Sequence, residues 1–268
     1  MKFWDQYTSW EEAEAAWEQG ALAAAEQKSV KKLKVLPQMP GITEETAENL
    51  KWKSFKYMIS HDLGGKVRQH VLKHPLRYGL RYLRSVFKKR SYLRDDDFFL
   101  YGLSSVKEFQ KAIQKKKALL VVGFSYCQKP HECPSGRFND QCVRDPEHPI
   151  CRQCDIGKVL HALPSHALAL VIPTVHYIGG KILELVHAHP DRDVIFLITA
   201  CEMTLEMFGD WGNMAGVKGI GVRLDGRICN TMRAFELSEE GIKPGLTVTT
   251  PQTQRRILDL VRNMRASS

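Results

Sequence analysis

The segment Ala118-Leu119-Leu120-Val121-Val122-Gly123-Phe124 is a continuous apolar run that ends in turn-compatible residues. Helices are predicted between this run and the later ones, and a closing helix is predicted from Pro251. Apolar strands that alternate with helices are typical of βαβ units, and strands that are apolar on both faces are typical of a covered parallel sheet. The sequence therefore predicts an α/β domain with a parallel sheet of the Rossmann-like, doubly wound type. The later runs are 167–172, 194–198 and 219–224, and the predicted helices are 155–163, 178–188 and 202–209.

The part of the chain before this sheet is predicted to be mainly helical. Ser9 and Glu12 form a capping box, and Pro75 suits the first turn of a helix. We therefore divide the chain into a helical, basic N-terminal region at 1–110 and a cysteine-rich α/β domain at 111–268. The predicted elements of the first region are a helix over about 10–34, a linker at 35–42, a helix from Thr43 to about Ser60, and a helix from Pro75.

The charge of the chain is concentrated in one block. The 268 residues carry a net charge of +9, and residues 51–94 hold 13 Lys and Arg against one acid, Asp62. That block therefore contributes +12, and the rest of the chain carries −3. The hydrophobic fraction of 43% excludes a disordered chain. No apolar run approaches the roughly 18 residues that span a bilayer, and no signal peptide is evident, so a cytoplasmic location is expected.

Within the basic block, the segment from Pro75 predicts an amphipathic helix with an apolar stripe. The stripe is formed by Leu76, Leu80, Leu83 and Phe87, with arginines around it. Three interpretations remain open at this point. Residues 66–94 bind nucleic acid, with tyrosines between the arginines stacking on bases. Alternatively, they lie on an anionic membrane surface, or the stripe packs onto the domain and leaves a solvated basic face.

Seven cysteines are the second unusual feature, because a cytosolic chain with an odd cysteine set favours metal or redox chemistry over disulfides. Five of them fall between Cys127 and Cys154, and Cys201 and Cys229 follow singly. Each cysteine follows the carboxyl end of a predicted strand or lies in the long connection after the first strand. Because the ends of parallel strands meet at one edge, all seven are expected at the same rim of the sheet. The candidate ligands are Cys127, Cys133, Cys142, Cys151, Cys154, Cys201 and Cys229.

The cysteine pattern indicates a metal centre with four or more of these thiols as ligands. Cys151 and Cys154 have the chelating Cys-x-x-Cys spacing, and Cys154 and Cys201 both precede helices whose dipoles favour thiolate. Four thiolates bind either an iron–sulfur cluster, with [4Fe-4S] the expected type, or a structural zinc ion. Seven cysteines exceed what one structural zinc requires. A set of free thiols without metal is the remaining interpretation.

Three segments around the cysteines have a specific pattern, namely Cys151-Arg152-Gln153-Cys154-Asp155-Ile156-Gly157-Lys158, Ala200-Cys201-Glu202-Met203 and Asp225-Gly226-Arg227-Ile228-Cys229-Asn230-Thr231. In this order, they resemble a family catalogued as domain of unknown function 116. The resemblance covers about residues 117–240. It implies that all seven cysteines match the family's seven and that the protein binds an iron–sulfur cluster. The spacing differs from the family pattern between Cys142 and Cys151. The resemblance implies no particular reaction.

Two main functions are compatible with these observations. The first is an iron–sulfur protein that carries out redox chemistry, sulfur chemistry or electron transfer with a redox partner or small-molecule substrate. The alternative is a zinc-stabilised module that binds nucleic acid or protein through the basic helices. A thiol-based redox sensor without metal is a third class. Among the other candidate site residues, Glu202 could act as a base, and three histidines lie near the rim: His131, His148 and His176. Lys129 and Arg137 either bind an anion or are solvated loop charges.

Overall fold

The structure is a computed structural model that describes residues 1–31, 41–62, 64–88 and 91–266. Most of the predicted linker at 35–42, and residues 32–34 of the helix predicted over about 10–34, lie outside these residues. Within the described residues this helix ends at Gln27, earlier than expected. The strands are β1 (Leu93–Asp95), β2 (Phe98–Tyr101), β3 (Ala118–Ser125), β4 (Leu168–Ile172), β5 (Asp193–Ala200), β6 (Lys218–Arg223), β7 (Asp225–Gly226) and β8 (Thr247–Val248). The helices are α1 (Trp10–Gln27), α2 (Glu44–Ala47), α3 (Leu50–Ser60), α4 (Lys66–Lys73), α5 (Pro75–Val86), α6 (Val106–Ile113), α7 (Pro149–Arg152), α8 (Asp155–Ala162), α9 (Val175–Ala188), α10 (Glu202–Ala215), α11 (Met232–Glu239) and α12 (Pro251–Ala266).

A six-stranded, mostly parallel sheet with the order β1-β2-β6-β5-β3-β4 organises the fold. Strands β4, β3, β5 and β6 are parallel neighbours, whereas β2 pairs antiparallel with β6 and with β1. The four apolar runs recognised in the sequence are these four parallel strands. The chain is therefore an α/β protein, and the arrangement is consistent with a doubly wound fold.

Alternation along the strands builds two cores, one on each face of the sheet. In β3, Leu120 and Val122 belong to a core with α1, α6, α8 and α12, whereas Leu119 and Val121 belong to a core with α4, α5, α9 and α10. Because both faces are covered by helices, both sets of side chains along β3 are apolar. This is why β3 is a continuous apolar run and not an alternating one.

The strands β1 and β2 were not expected from the sequence, because they lie in the segment assigned to the helical region. They form a short hairpin around Asp96, whose φ of 56° is left-handed, and β2 then extends the sheet beside β6. All four side chains of β2 are buried, so it lacks the alternation that identifies a strand in a sequence. The division at residue 110 stays a prediction, although the sheet draws on residues from both sides of it.

The helix predicted from Thr43 to about Ser60 is divided into α2 and α3. Thr43 caps α2 as expected, but Asn49 adopts a left-handed conformation with φ 56° and separates the two helices. Asn tolerates this conformation better than most residues, because its short polar side chain hydrogen-bonds locally. The expected start of a helix at Pro75 is confirmed by α5.

The apolar stripe of α5 is exposed, so the interpretation in which it packs onto the domain is wrong. Leu76 is 80% exposed and Phe87 is 85% exposed. The helix instead packs through its opposite face, where Tyr78 is buried and Ser85 Oγ donates a hydrogen bond of 2.5 Å to Asp210 Oδ1 in α10. The Tyr78 ring therefore does not face solvent between the arginines.

The two ends of the described chain pack against each other. Phe3 and Met264 share one core, and Arg265 Nη2 donates a hydrogen bond of 2.6 Å to Asp5 Oδ1. No helix among the described residues has the length and apolarity needed to cross a bilayer.

Candidate functional site

The sheet has a switch point between β3 and β5, because the chain passes from β3 to β4 on one side and then returns to β5 on the other. Crevices for ligands form at the carboxyl ends of the strands at such points. Cys127 lies in the turn directly after β3, and Cys201 directly follows β5 as the N-cap of α10. The sequence therefore positions two thiols at the place where the topology opens the sheet.

The seven cysteines, all of them free, lie in two groups at this edge of the sheet. The four-thiol group lies in the long connection between β3 and β4, where its members line one small cavity of about 20 Å³. The three-thiol group lies at the switch point and lines a narrow, mainly apolar cavity of about 50 Å³. The four-thiol group comprises Cys133, Cys142, Cys151 and Cys154, and the three-thiol group comprises Cys127, Cys201 and Cys229.

The Cys-x-x-Cys segment of the four-thiol group is fixed by the start of α8. Cys154 is the N-cap of this helix, and the backbone N–H groups of Ile156 and Gly157 are directed at its sulfur. Burial raises the pKa of Cys154 to about 12, and these N–H groups oppose that effect. A Cβ atom on Gly157 would lie 2.6 Å from the carbonyl oxygen of Cys151, so only glycine permits this close approach.

A buried ammonium group lies among the four thiols. Lys129 is 2% exposed, and its Nζ donates hydrogen bonds to Asn139 Oδ1 at 2.9 Å and to the carbonyl oxygen of Gln141 at 2.8 Å. Within the part of the chain that the structure describes, no carboxylate lies within 4.0 Å of this nitrogen. Burial lowers the pKa of Lys129, and negative charge on Cys133 and Cys142 would raise it. The expectation that Lys129 is a solvated loop charge is therefore wrong.

Neighbouring polar side chains brace the loop that carries these thiols. Arg137 donates hydrogen bonds to the carbonyl oxygens of Lys129, Lys243 and Gly245 at distances of 2.9 to 3.1 Å. His161 lines the four-thiol cavity, but the Phe3 N–H donates to its Nδ1 at 3.2 Å, and its Nε2 lies 3.1 Å from the carbonyl oxygen of Arg144. Both ring nitrogens are thus engaged, so His161 supports the loop and the N-terminus.

In the three-thiol group, Cys229 has a cation as its closest polar partner. Lys243 Nζ donates a hydrogen bond of 3.0 Å to Cys229 Sγ, and Ser238 Oγ lies 3.4 Å from the same sulfur. The thiol of Cys201 also shares a hydrogen bond with Cys229. Together, the Cys201 hydrogen bond and the Lys243 charge lower the pKa of Cys229, while burial opposes them.

The pKa of the second thiol in this pair, Cys201, shifts in the opposite direction. Its hydrogen bond to Cys229 and its burial raise the pKa of Cys201, although Thr204 Oγ1 lies only 3.3 Å from its sulfur. Glu239 borders the same cavity and accepts a hydrogen bond of 2.8 Å from the Val175 N–H. Burial, with the negative charge of Cys229, raises the pKa of Glu239 to about 8. The cavity thus brings together two thiols, a cation that favours the thiolate form of Cys229, and a carboxyl group whose burial favours its protonated form.

The other residues singled out in the sequence do not join either thiol group. Glu202 forms a buried ion pair with Arg223 and a second one with Arg94, so its carboxylate is engaged away from the thiols. His176 Nε2 lies 3.2 Å from the carbonyl oxygen of Met58 in α3, and His148 caps α7. Lys243 and Glu239 were missed, because single charged residues in the C-terminal part of the chain carry no spacing signal.

The donors of the four-thiol group fit an iron–sulfur cluster or zinc in type and number, since both take four thiolates. The thiols line one cavity beside a buried cation that needs negative charge. As positioned, however, no three or more His, Cys, Asp or Glu side chains in the described ranges are grouped closely enough to hold a metal ion. Binding therefore requires the thiols to move together.

No family model, curated protein or solved structure matches the chain.

Proposed function

We propose that this protein holds a [4Fe-4S] iron–sulfur cluster through the four-thiol group and uses it in redox chemistry, sulfur chemistry or electron transfer. The observation that carries the proposal is the burial of the Lys129 ammonium group within one cavity lined by four thiols. The ligands in this proposal are Cys133, Cys142, Cys151 and Cys154.

The environment of Lys129 supports a centre that carries negative charge. A buried charge is costly unless it is paired. Lys129 has two neutral oxygen acceptors, and the groups around it that can become negative are mainly thiols. Metal binding deprotonates cysteine ligands. Ligated thiolates would therefore supply the counter-charge that the ammonium group lacks.

The start of α8 supports the same assignment. The N–H groups that face Cys154 stabilise its thiolate form, and hydrogen bonds to cysteine sulfur are one way in which proteins set the potential of a cluster. When bound, such a cluster supplies one-electron transfer. Lys129 would neutralise part of its charge, and Gly157 permits the close approach of the Cys151 carbonyl oxygen to the start of α8.

The three-thiol group supports a redox or sulfur role over a purely structural one. The hydrogen bond from Lys243 favours the thiolate form of Cys229, and the hydrogen bond to Cys229, together with burial, raises the pKa of Cys201 beside it. This pairing suits thiol–disulfide chemistry, because a thiolate is the reactive form of cysteine. A redox partner or small-molecule substrate would meet these thiols at the switch point. The same proposal includes a Rossmann-like fold and membership of domain of unknown function 116. It also includes a cytoplasmic location, where thiols are kept reduced.

Anaerobic purification followed by metal, sulfide and absorbance measurements tests this function. We expect iron and acid-labile sulfide with a broad visible absorbance. Replacing Cys142 or Cys154 by Ser is expected to abolish the absorbance, whereas the matched control Cys127→Ser retains it. A colourless protein with stoichiometric zinc supports the alternative, a zinc-stabilised module for nucleic acid or protein. If the Cys127→Ser control loses iron while Cys142→Ser retains it, the ligand assignment is contradicted.

A further inference from the structure

The exposed face of α5 combines large aliphatic side chains with positive charge. Leu80 and Leu83 are 56% and 52% exposed, and Leu76 and Phe87 are more exposed still. Leu72, near the end of the preceding helix α4, is also exposed, at 65%. At 100° per residue, positions 76, 80, 83 and 87 fall within one narrow arc of the helix. We call Leu72, Leu76, Leu80, Leu83 and Phe87 the exposed stripe.

The cations lie beside the exposed stripe and not opposite it. Arg77 and Arg84 are exposed in α5, and Lys73 and Lys88 are exposed at either end. The helix geometry places Arg77 and Arg84 on the flank between the exposed stripe and the buried face. Residues 66–94 contain ten Lys and Arg and no acid. An apolar row with a cationic flank is the pattern of a helix that lies in a membrane interface, with its long basic side chains reaching the headgroups.

The body of the protein holds this helix rigidly with the stripe outward. Ser85 accepts a hydrogen bond of 2.9 Å from Asn213 Nδ2, in addition to its bond to Asp210. The Tyr82 ring packs on the Trp211 ring at a centroid distance of 5.2 Å. The outward face is therefore preformed, and binding would not require α5 to leave α10.

We propose that the exposed stripe and its cationic flank dock this protein onto an anionic lipid bilayer. The positive charge of the flank favours an anionic surface, and the aliphatic side chains of the exposed stripe favour contact with the hydrocarbon of lipids. Nucleic acid fits less well, because the tyrosines that alternate with the arginines, Tyr78 and Tyr82, are turned inward, and four of the five side chains of the exposed stripe are leucines that cannot stack on bases. Trp52, which is 65% exposed in α3 beside Leu83, suits the headgroup level of a bilayer. This proposal does not depend on the metal centre.

Vesicle flotation of the full-length protein tests the proposal. We expect binding to vesicles of phosphatidylcholine with phosphatidylglycerol and little binding to phosphatidylcholine alone. The double replacement Leu80→Gln and Leu83→Gln is expected to weaken binding at least about tenfold. Arg77→Gln and Arg84→Gln are each expected to weaken it about fivefold, and high salt to remove that difference. All four positions are exposed, so the fold is retained.

Ile242→Gln is the matched control, because Ile242 is 55% exposed outside this surface. It is expected to bind vesicles like the parent protein. Equal binding to neutral and anionic vesicles, or binding unaffected by the double leucine replacement, overturns the proposal. Absence of vesicle binding together with salt-sensitive binding to an RNA oligonucleotide overturns it in favour of nucleic acid. None of these variants is expected to change the iron content of the protein. A failure of the membrane proposal is therefore distinguishable from a failure of the proposed function.

Discussion

Replacing Gly157 by Ala probes the packing on which the four-thiol group depends. The added Cβ would lie 2.6 Å from the Cys151 carbonyl oxygen, whereas ordinary contact begins at 3.4 Å. The two atoms must therefore separate by about 0.8 Å. Because the nearest atom belongs to the backbone and not to a flexible side chain, the Cys151 segment has to move. Overpacking of this kind costs about 1–3 kcal/mol.

Gly79→Ala in α5 is the matched control, since nothing lies within 4 Å of the Cβ that it would add. Both replacements gain about 1 kcal/mol in helix propensity. The free energies of unfolding of the two variants should therefore differ by the overpacking cost alone, about 1–3 kcal/mol. Urea denaturation of both proteins measures this difference.

Metal content provides the second measurement. Moving the Cys151 carbonyl displaces Cys151 relative to Cys154, so Gly157→Ala should bind less iron per chain than the parent protein. Gly79→Ala should bind as much as the parent. If Gly157→Ala is as stable as Gly79→Ala and binds the same amount of metal, the proposed packing of the Cys-x-x-Cys segment on α8 is refuted.

Three further predictions concern charged groups. Arg223→Met leaves the buried carboxylates of Asp97 and Glu202 without this cation and should cost about 3–5 kcal/mol in urea denaturation; a loss below 1 kcal/mol would contradict a structural role. Burial raises the pKa of Glu239 to about 8, so the folded state favours its protonated form. The free energy of unfolding should therefore fall as the pH rises from about 5 to 8, and Glu239→Gln should flatten that decline. Lys243→Met should raise the pKa of Cys229, shifting the pH profile of its alkylation upwards; an unchanged profile would show that Lys243 does not stabilise the thiolate.

The parallel core of the fold follows from the sequence because its strands are long, apolar and separated by helices. The runs at 118–124 and 194–198 needed no tertiary information to be recognised. The hairpin of β1 and β2 could not be recognised, because the three residues of β1 are exposed and the four of β2 are all buried. Neither strand therefore shows a period of two, and their conformation depends on the pairing of β2 with β6 and of β1 with β2.

The edge of the sheet that carries the thiols was predictable for the same reason, since Cys127 and Cys201 follow strands that are evident in the sequence. The separation of the seven cysteines into two groups was not predictable, because it depends on the path of the loop between β3 and β4. The burial of Lys129 was also hidden, because a basic residue in a polar loop normally remains solvated. Its neutral acceptors at Asn139 and Gln141 are brought close only by that loop.

The packing of residues near 3 and 17 against residues near 260 has a consequence for biosynthesis. Phe3 and Trp17 belong to one core with Ile257 and Val261 of α12, and Asp5 pairs with Arg265. During synthesis, the first helix therefore leaves the ribosome long before its partner exists. The core that it shares with α12 is incomplete until residues 251–266 have emerged. The segment that contains all seven cysteines is synthesised within that interval, so the thiols are made before the surrounding fold can close.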